Sequence, residues 1–277
     1  MKTKFVNSIV TILLLILPFF MGSLLAKHTP YIETNSFQTF LIIWCAFTLV
    51  FFTLSFRFVL NRMALPLFLI ACPIIGIVGM QAPPDLSITV LKHPEREHLR
   101  YIFLFFAAFL FLTFFIVYGK SNLAKMSKTR RIWLTVLFVL SFVELIWEFT
   151  HHYSYPDALA KWVAEGKLAD DFGKQYDNIT VINMGVFGRL VQFTFIIWVS
   201  ILCYKDKLSS LWSPILTILL SFAGIVSAFV VFFTEMNFPK GFEFLFLFFI
   251  PGIPFLILYW LGVALITKNR SLAPNPE

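Results

Sequence analysis

Apolar residues fall in long blocks separated by short polar stretches. The blocks run Phe5–Leu25, Phe37–Phe56, Met63–Met80, Tyr101–Tyr118, Ile132–Thr150, Val181–Tyr204, Ser213–Phe233 and Leu245–Thr267. Each holds about 18 to 24 residues, enough for an α-helix to cross a hydrocarbon core of roughly 30 Å. The pattern predicts an all-α membrane protein with about eight transmembrane helices. The first block follows Lys2 and Lys4, as a signal peptide would. Its apolar run exceeds the about 7–15 residues of a signal core and Ala26 is a poor cleavage residue, so it reads as a helix.

The polar stretches set the orientation. One side collects Lys2, Lys4, Arg57, Arg62, Lys120, Lys125, Lys128, Arg130, Arg131, Lys205, Lys207, Lys268 and Arg270, with only Asp206 and Glu277 as acids. The other side has more acids than bases. The positive-inside rule then places both termini in the cytosol, as an even number of spans requires. The membrane is a bacterial inner membrane or the endoplasmic reticulum, according to the source. The basic stretch Gly119–Arg131 would favour anionic headgroups. On the outer side, residues 151–180 are too many for a bare connection. Within them, "SYPDALAKWVAEGK" predicts a short interfacial helix. Ser154 would cap it, Pro156 and Asp157 would sit in its first turn, Gly166 would stop it, and Trp162 would anchor it.

Composition agrees with this reading. The 277 residues are 59% hydrophobic and include 36 phenylalanines, far from a soluble average. The net charge of +7 does not imply nucleic acid, because the bases gather at span ends. Cys45, Cys72 and Cys203 lie inside apolar blocks and read as small hydrophobes. No phosphate loop, nucleophile elbow, HExxH motif or fixed-period repeat is present, and no cofactor is expected. All five histidines fall on the outer side or its boundary in no strong metal spacing, so no metal is expected. The Asn178-Ile179-Thr180 sequon also faces outward, close to a span.

The chemistry concentrates in "VELIWEFTHH". Glu144 and Glu148, four residues apart, share a helix face that His151 extends and Trp147 adjoins. A carboxylate in hydrocarbon costs a few kcal/mol, so this face must turn into a bundle or a wet cavity. Two close carboxyl groups would share a proton and offer an acid and a base together. The alternative for Glu148 and the histidines is simple access to outer water. Asn183 and Arg189 on the sixth span are the other intramembrane polar residues identified. Arg189 reads equally as ion-pair glue and as part of a relay.

From Tyr101 onward the chain resembles the EXPERA domain, the fold of the emopamil-binding protein family of sterol Δ8–Δ7 isomerases. The resemblance rests on an ordered set: "RRIWLTVLFVLSFVELIWEF", "KWVAEGK", "YDNITVINMG", "SFAGIVSAFVVFFTE" and a phenylalanine-rich last span. It implies a five-helix unit over residues 101–277, with a cytosolic tail, after a three-helix region over 1–100. The resemblance places the family's Glu at Glu148 and its first-position His at Glu144. The family's acid in the next helix falls near Met184, beside Asn183. Its last-helix Asn and Trp fall near Pro251 and Pro254, and "IPGIP" predicts a kinked helix with freed carbonyls.

What the resemblance implies is a protein that binds a sterol-like or other hydrophobic ligand within the membrane, with double-bond isomerisation as the enzymatic option. Glu148 would transfer the proton with Glu144 as its partner, and Trp147, His151, Asn183 and Glu235 would line the ligand site. Two further readings stay open: a non-catalytic lipid-binding or trafficking relative, and a proton-coupled transporter relayed by Glu144, Glu148 and Arg189. The partners expected are lipid and membrane rather than nucleic acid, with a homodimer left open.

Overall fold

The computed structural model describes residues 2–270, with side chains over 7–268. The side chains of Lys2, Lys4 and Arg270, the residue Glu277 and the expected tail thus lie outside the described residues. Among the described residues there are helices and no strands. They are α1 (Lys2–Leu25), α2 (Thr34–Phe58), α3 (Ala64–Leu69), α4 (Ala71–Met80), α5 (Pro94–Asn122) and α6 (Lys128–Tyr153). After these come α7 (Tyr155–Ala164), α8 (Ala169–Tyr176), α9 (Ile179–Lys205), α10 (Trp212–Thr234), α11 (Phe246–Phe249) and α12 (Gly252–Arg270).

An all-α membrane protein is what these helices make. Six are long and apolar enough to cross a membrane, and a bent pair at the C-terminal end brings the number to seven. The expected count of eight is therefore corrected at the third block. Its two pieces, α3 and α4, break at Ile70, because Pro73 has no N–H for the Leu69 carbonyl and its ring crowds that oxygen. Over Ala64–Met80 the pieces rise only about 25 Å. They are also enclosed rather than lipid-facing: Ala64, Leu67, Ile70, Ala71 and Ile75 have no exposed surface. They sit among α1, α5 and α12.

The last block is not one straight span either. Ile250 is extended, Pro251 cannot donate, and the two halves meet at 71°. The second half, α12, is the central post. It packs on α1, α3, α9 and α10, and one apolar core runs from Leu25 to Ile266 across both sides of position 100. Close approach requires Gly262, where a Cβ would lie 2.8 Å from Leu67 Cβ. Proline supplies a second link. Pro18 inside α1 leaves the Leu14 carbonyl without its helical donor, and the Tyr259 hydroxyl donates to it, with Trp260 Nε1 on Leu15 O at 3.1 Å.

A cap of short helices forms between α6 and α9 at one end of the bundle. The expected short helix is α7, with Pro156 at its start and Gly166 at φ +78° just past its end. Ser154 does not cap it. That residue is already helical, and its hydroxyl donates back to Thr150 O at 2.9 Å. Trp162 turns to the protein rather than standing free: its indole donates to Leu168 O at 2.8 Å and packs on Phe172 of α8, a helix the sequence reading missed. Asn178 of the sequon caps α9, accepting from Thr180 and Val181 N–H groups.

Candidate functional site

The face of α6 carrying Glu144 and Glu148 packs on α9. Both glutamates are buried, at 3% and 7% exposure. The residue they meet is Arg189, wholly buried about 15 Å along α9 from its N-terminal end. Arg189 Nη2 donates to both oxygens of Glu148, at 2.6 and 2.8 Å. Its Nη1 donates to Gln192 Oε1 at 2.9 Å. With that oxygen taken, the Gln192 amide nitrogen must face the other way, and it donates to Glu144 Oε2 at 2.5 Å. Arg189 Nη1 itself stands 3.9 Å from the same Glu144 oxygen. The order is Glu148, Arg189, Gln192, Glu144, one connected chain.

The third arm of Arg189 reaches the break in the last span. Its Nε donates to the carbonyl of Phe249 at 2.8 Å, and its guanidinium lies 5.6 Å from the Phe249 ring centre. This carbonyl is available because α11 ends there: Ile253 N–H turns to Ile250 O instead. The kink expected from "IPGIP" thus contributes an acceptor to the site.

Two features set Glu144 apart. Its Oε1 is buried without a hydrogen-bond partner, an uncommon state for a polar atom in a packed interior. Its carboxyl group also lies where a side chain on Gly188 would be, since a Cβ there would fall 1.9 Å from Glu144 Cδ. Gly188 is the notch that admits the carboxylate against the α9 backbone.

The other expected site residues are elsewhere. Trp147 is 36% exposed on the outer surface of α6, stacked 5.6 Å from His151. Asn183 is exposed, on a different face of α9 from Arg189. Glu235 is exposed just past the end of α10, in a left-handed conformation at φ 49°. His151 belongs to the cap between α6 and α9, where its Nε2 pairs with Asp177 at 3.0 Å and its ring stacks 4.2 Å from Tyr176. His151, His152 and Asp177 bring one ligand-type atom each within 4.8 Å of one another. Helical phase disperses Trp147 and Asn183, whereas His151 lies about two turns beyond Glu144 at the end of α6 and Glu235 follows the end of α10. Trp147 lies next to Glu148 in sequence but about 100° away around the helix, which turns it out of the bundle.

Sequence reasoning missed Gln192, Gly188 and the Phe249 carbonyl. Gln192 had a legible signal: it is a polar residue in an apolar run, three positions after Arg189 and therefore on its face. Gly188 and Phe249 had none, because their part depends on which helix lies opposite.

No known protein family, no curated protein and no solved structure matches the chain.

Proposed function

We propose that this integral membrane protein uses the Glu148–Arg189–Gln192–Glu144 chain as a proton-linked centre of the transporter type. The observation that carries the reading is the triple engagement of Arg189. The same guanidinium holds Glu148, reaches Glu144 through Gln192, and holds the carbonyl at the broken last span. Two carboxylates against one guanidinium leave one negative charge in excess unless a proton is bound. An uncompensated buried ion costs several kcal/mol, so a proton arriving or leaving would change the pull on Arg189. That pull is transmitted to the bend between α11 and α12, the kind of discontinuous helix that serves gating in transporters. Glu144, with its free Oε1, is the exchanging member, and Glu148 the fixed one.

The test is pH-difference infrared spectroscopy of the reconstituted protein. A protonated-carboxyl band that appears on acidification, is lost in Glu144→Gln and persists in Trp147→Phe is the expected result. Identical spectra for wild type and Glu144→Gln would refute the reading.

A second reading follows the EXPERA resemblance: a sterol-like or other hydrophobic ligand bound in the membrane by a non-catalytic relative. It is favoured by an apolar groove of about 430 Å³ along α6, lined by Ile132, Thr135, Val136, Val139 and Leu140 with Arg131 at one end, a size suited to a small ligand. The isomerase option has less behind it. Arg189 sits between the two carboxylates with its positive charge, where that chemistry needs them to stabilise a carbocation. Binding of sterols and cationic amphiphiles in detergent, compared with Val136→Trp in the groove, separates this reading from the first.

A further inference from the structure

A second cluster of charge lies at the outer end of α5, in the region the EXPERA resemblance leaves out. It surrounds a cavity of about 260 Å³ lined by Tyr31, Asp85, Thr89, Lys92, Arg96 and Glu97. Arg96 is only 8% exposed, yet its Nε is buried with no hydrogen-bond partner. Among the described residues its guanidinium makes no ion pair, and the Tyr31 ring centre lies 5.9 Å from it. A buried guanidinium normally has its donors satisfied.

The acids that could serve Arg96 are already taken. Glu97 accepts from the Tyr31 hydroxyl on one oxygen and from Arg100 Nε at 3.0 Å on the other. Asp85 accepts from Ser87 N–H and Oγ, at 2.9 and 2.7 Å, and from Thr89 Oγ1 at 2.5 Å. Glu95 pairs with His93 at 3.2 Å. Lys92, exposed on the rim, has no acid partner among the described residues. The cavity also adjoins the first turn of α5, a 29-residue helix with no side-chain cap, whose dipole Glu95 and Glu97 of that turn offset in part. The loop around it exposes Leu86 and Ile88, at 49% and 51%, as a segment resting at a membrane interface would.

We infer that the Arg96–Lys92 cavity is a binding site for a small oxyanion of the phosphate class, presented on the outer side either as a lipid headgroup or as free phosphate. The guanidinium supplies directed donors and the ammonium a point charge. Arg100 neutralises Glu97, and Asp85, held by neutral donors, offsets only one of the two positive charges, so the cavity keeps a net positive charge.

The test uses the full chain in phosphatidylcholine nanodiscs. One arm titrates inorganic phosphate calorimetrically, and the other measures recruitment of phosphatidylglycerol into mixed nanodiscs. Binding in either arm, weakened about tenfold by Arg96→Gln and severalfold by Lys92→Gln, is the expected result, with Lys167→Gln unchanged as the control. The arm that responds names the source. No binding in either arm, or binding that both variants leave unchanged, would overturn the site. Lys92 is exposed, so its variant reports on the site even if Arg96→Gln fails to fold.

Discussion

The protein buries two arginine-centred polar clusters, and they are finished to different degrees. In the one at the start of α5, Arg100 is closed: it holds Glu97, the Tyr31 hydroxyl and the carbonyls of Ala82 and Pro83, and both Glu97 oxygens are occupied. The network ties the loop after α4 to the start of α5 and leaves nothing within it to react. In the inner one, Arg189 is equally engaged, but Glu144 keeps an oxygen with no partner. A closed network is a rivet, because changing any member only loses contacts. An open one has room for a proton, and its state feeds back on the groups around it. Arg96, beside the closed network but outside it, is open in the opposite sense, a cation without its anion.

The largest effect expected from breaking this comparison is at Arg189. Arg189→Gln leaves two buried carboxylates without their cation and should cost about 3–5 kcal/mol, read as loss of the folded fraction in a detergent melt. Arg100→Gln should follow at about 3 kcal/mol, since it strands one buried carboxylate rather than two and Glu97 keeps the Tyr31 hydroxyl. It should leave any carboxyl infrared band intact, which Arg189→Gln should not. Gly188→Ala tests the notch: the added methyl displaces the Glu144 carboxyl and should cost about 1–3 kcal/mol, with the proton-linked signal lost. Glu144→Gln sharpens the contrast. Its stability cost should stay below about 1 kcal/mol, because the amide retains an oxygen for Gln192, while the infrared signal disappears.

The smallest effect is in the loop between α4 and α5. Burial alone would raise the Asp85 carboxyl, but hydrogen bonds from Thr89 and Ser87 outweigh it and hold the group below the usual carboxylate range. A carboxylate held low stabilises the fold above its unfolded value of about 3.9, and loses that contribution as pH falls through its lower folded value. The melting-temperature gap between wild type and Asp85→Asn should therefore be open at pH 7 and narrow below pH about 3.5. A gap of constant width would show that Asp85 stays charged, or never mattered, across that range.

The helical character of the eight hydrophobic blocks was legible in the sequence, because long apolar runs favour helix. The third is two short pieces and the last is bent, however, so six or seven spans result rather than eight. Also legible were the inward turn of Glu144 and Glu148, from the four-residue spacing, and the kink at "IPGIP", from the two prolines. These are properties of a single helix and need no neighbour. The partners of Glu144 and Glu148 were a different matter. Arg189 was visible as an intramembrane charge, but its choice of Glu148 over Glu144 depends on how α6 and α9 are phased against each other. The Gln192 relay, the Gly188 notch and the Phe249 carbonyl depend on the same phasing together with the approach of α11. Trp147, Asn183 and Glu235 looked equally eligible in one dimension and were sorted outward by rotation about their helix axes or by the end of α10. The enclosure of α3 and α4 belongs to the same class. Their apolarity announces burial but does not distinguish lipid from protein as the cover, and packing against α1, α5 and α12 settles it in favour of protein.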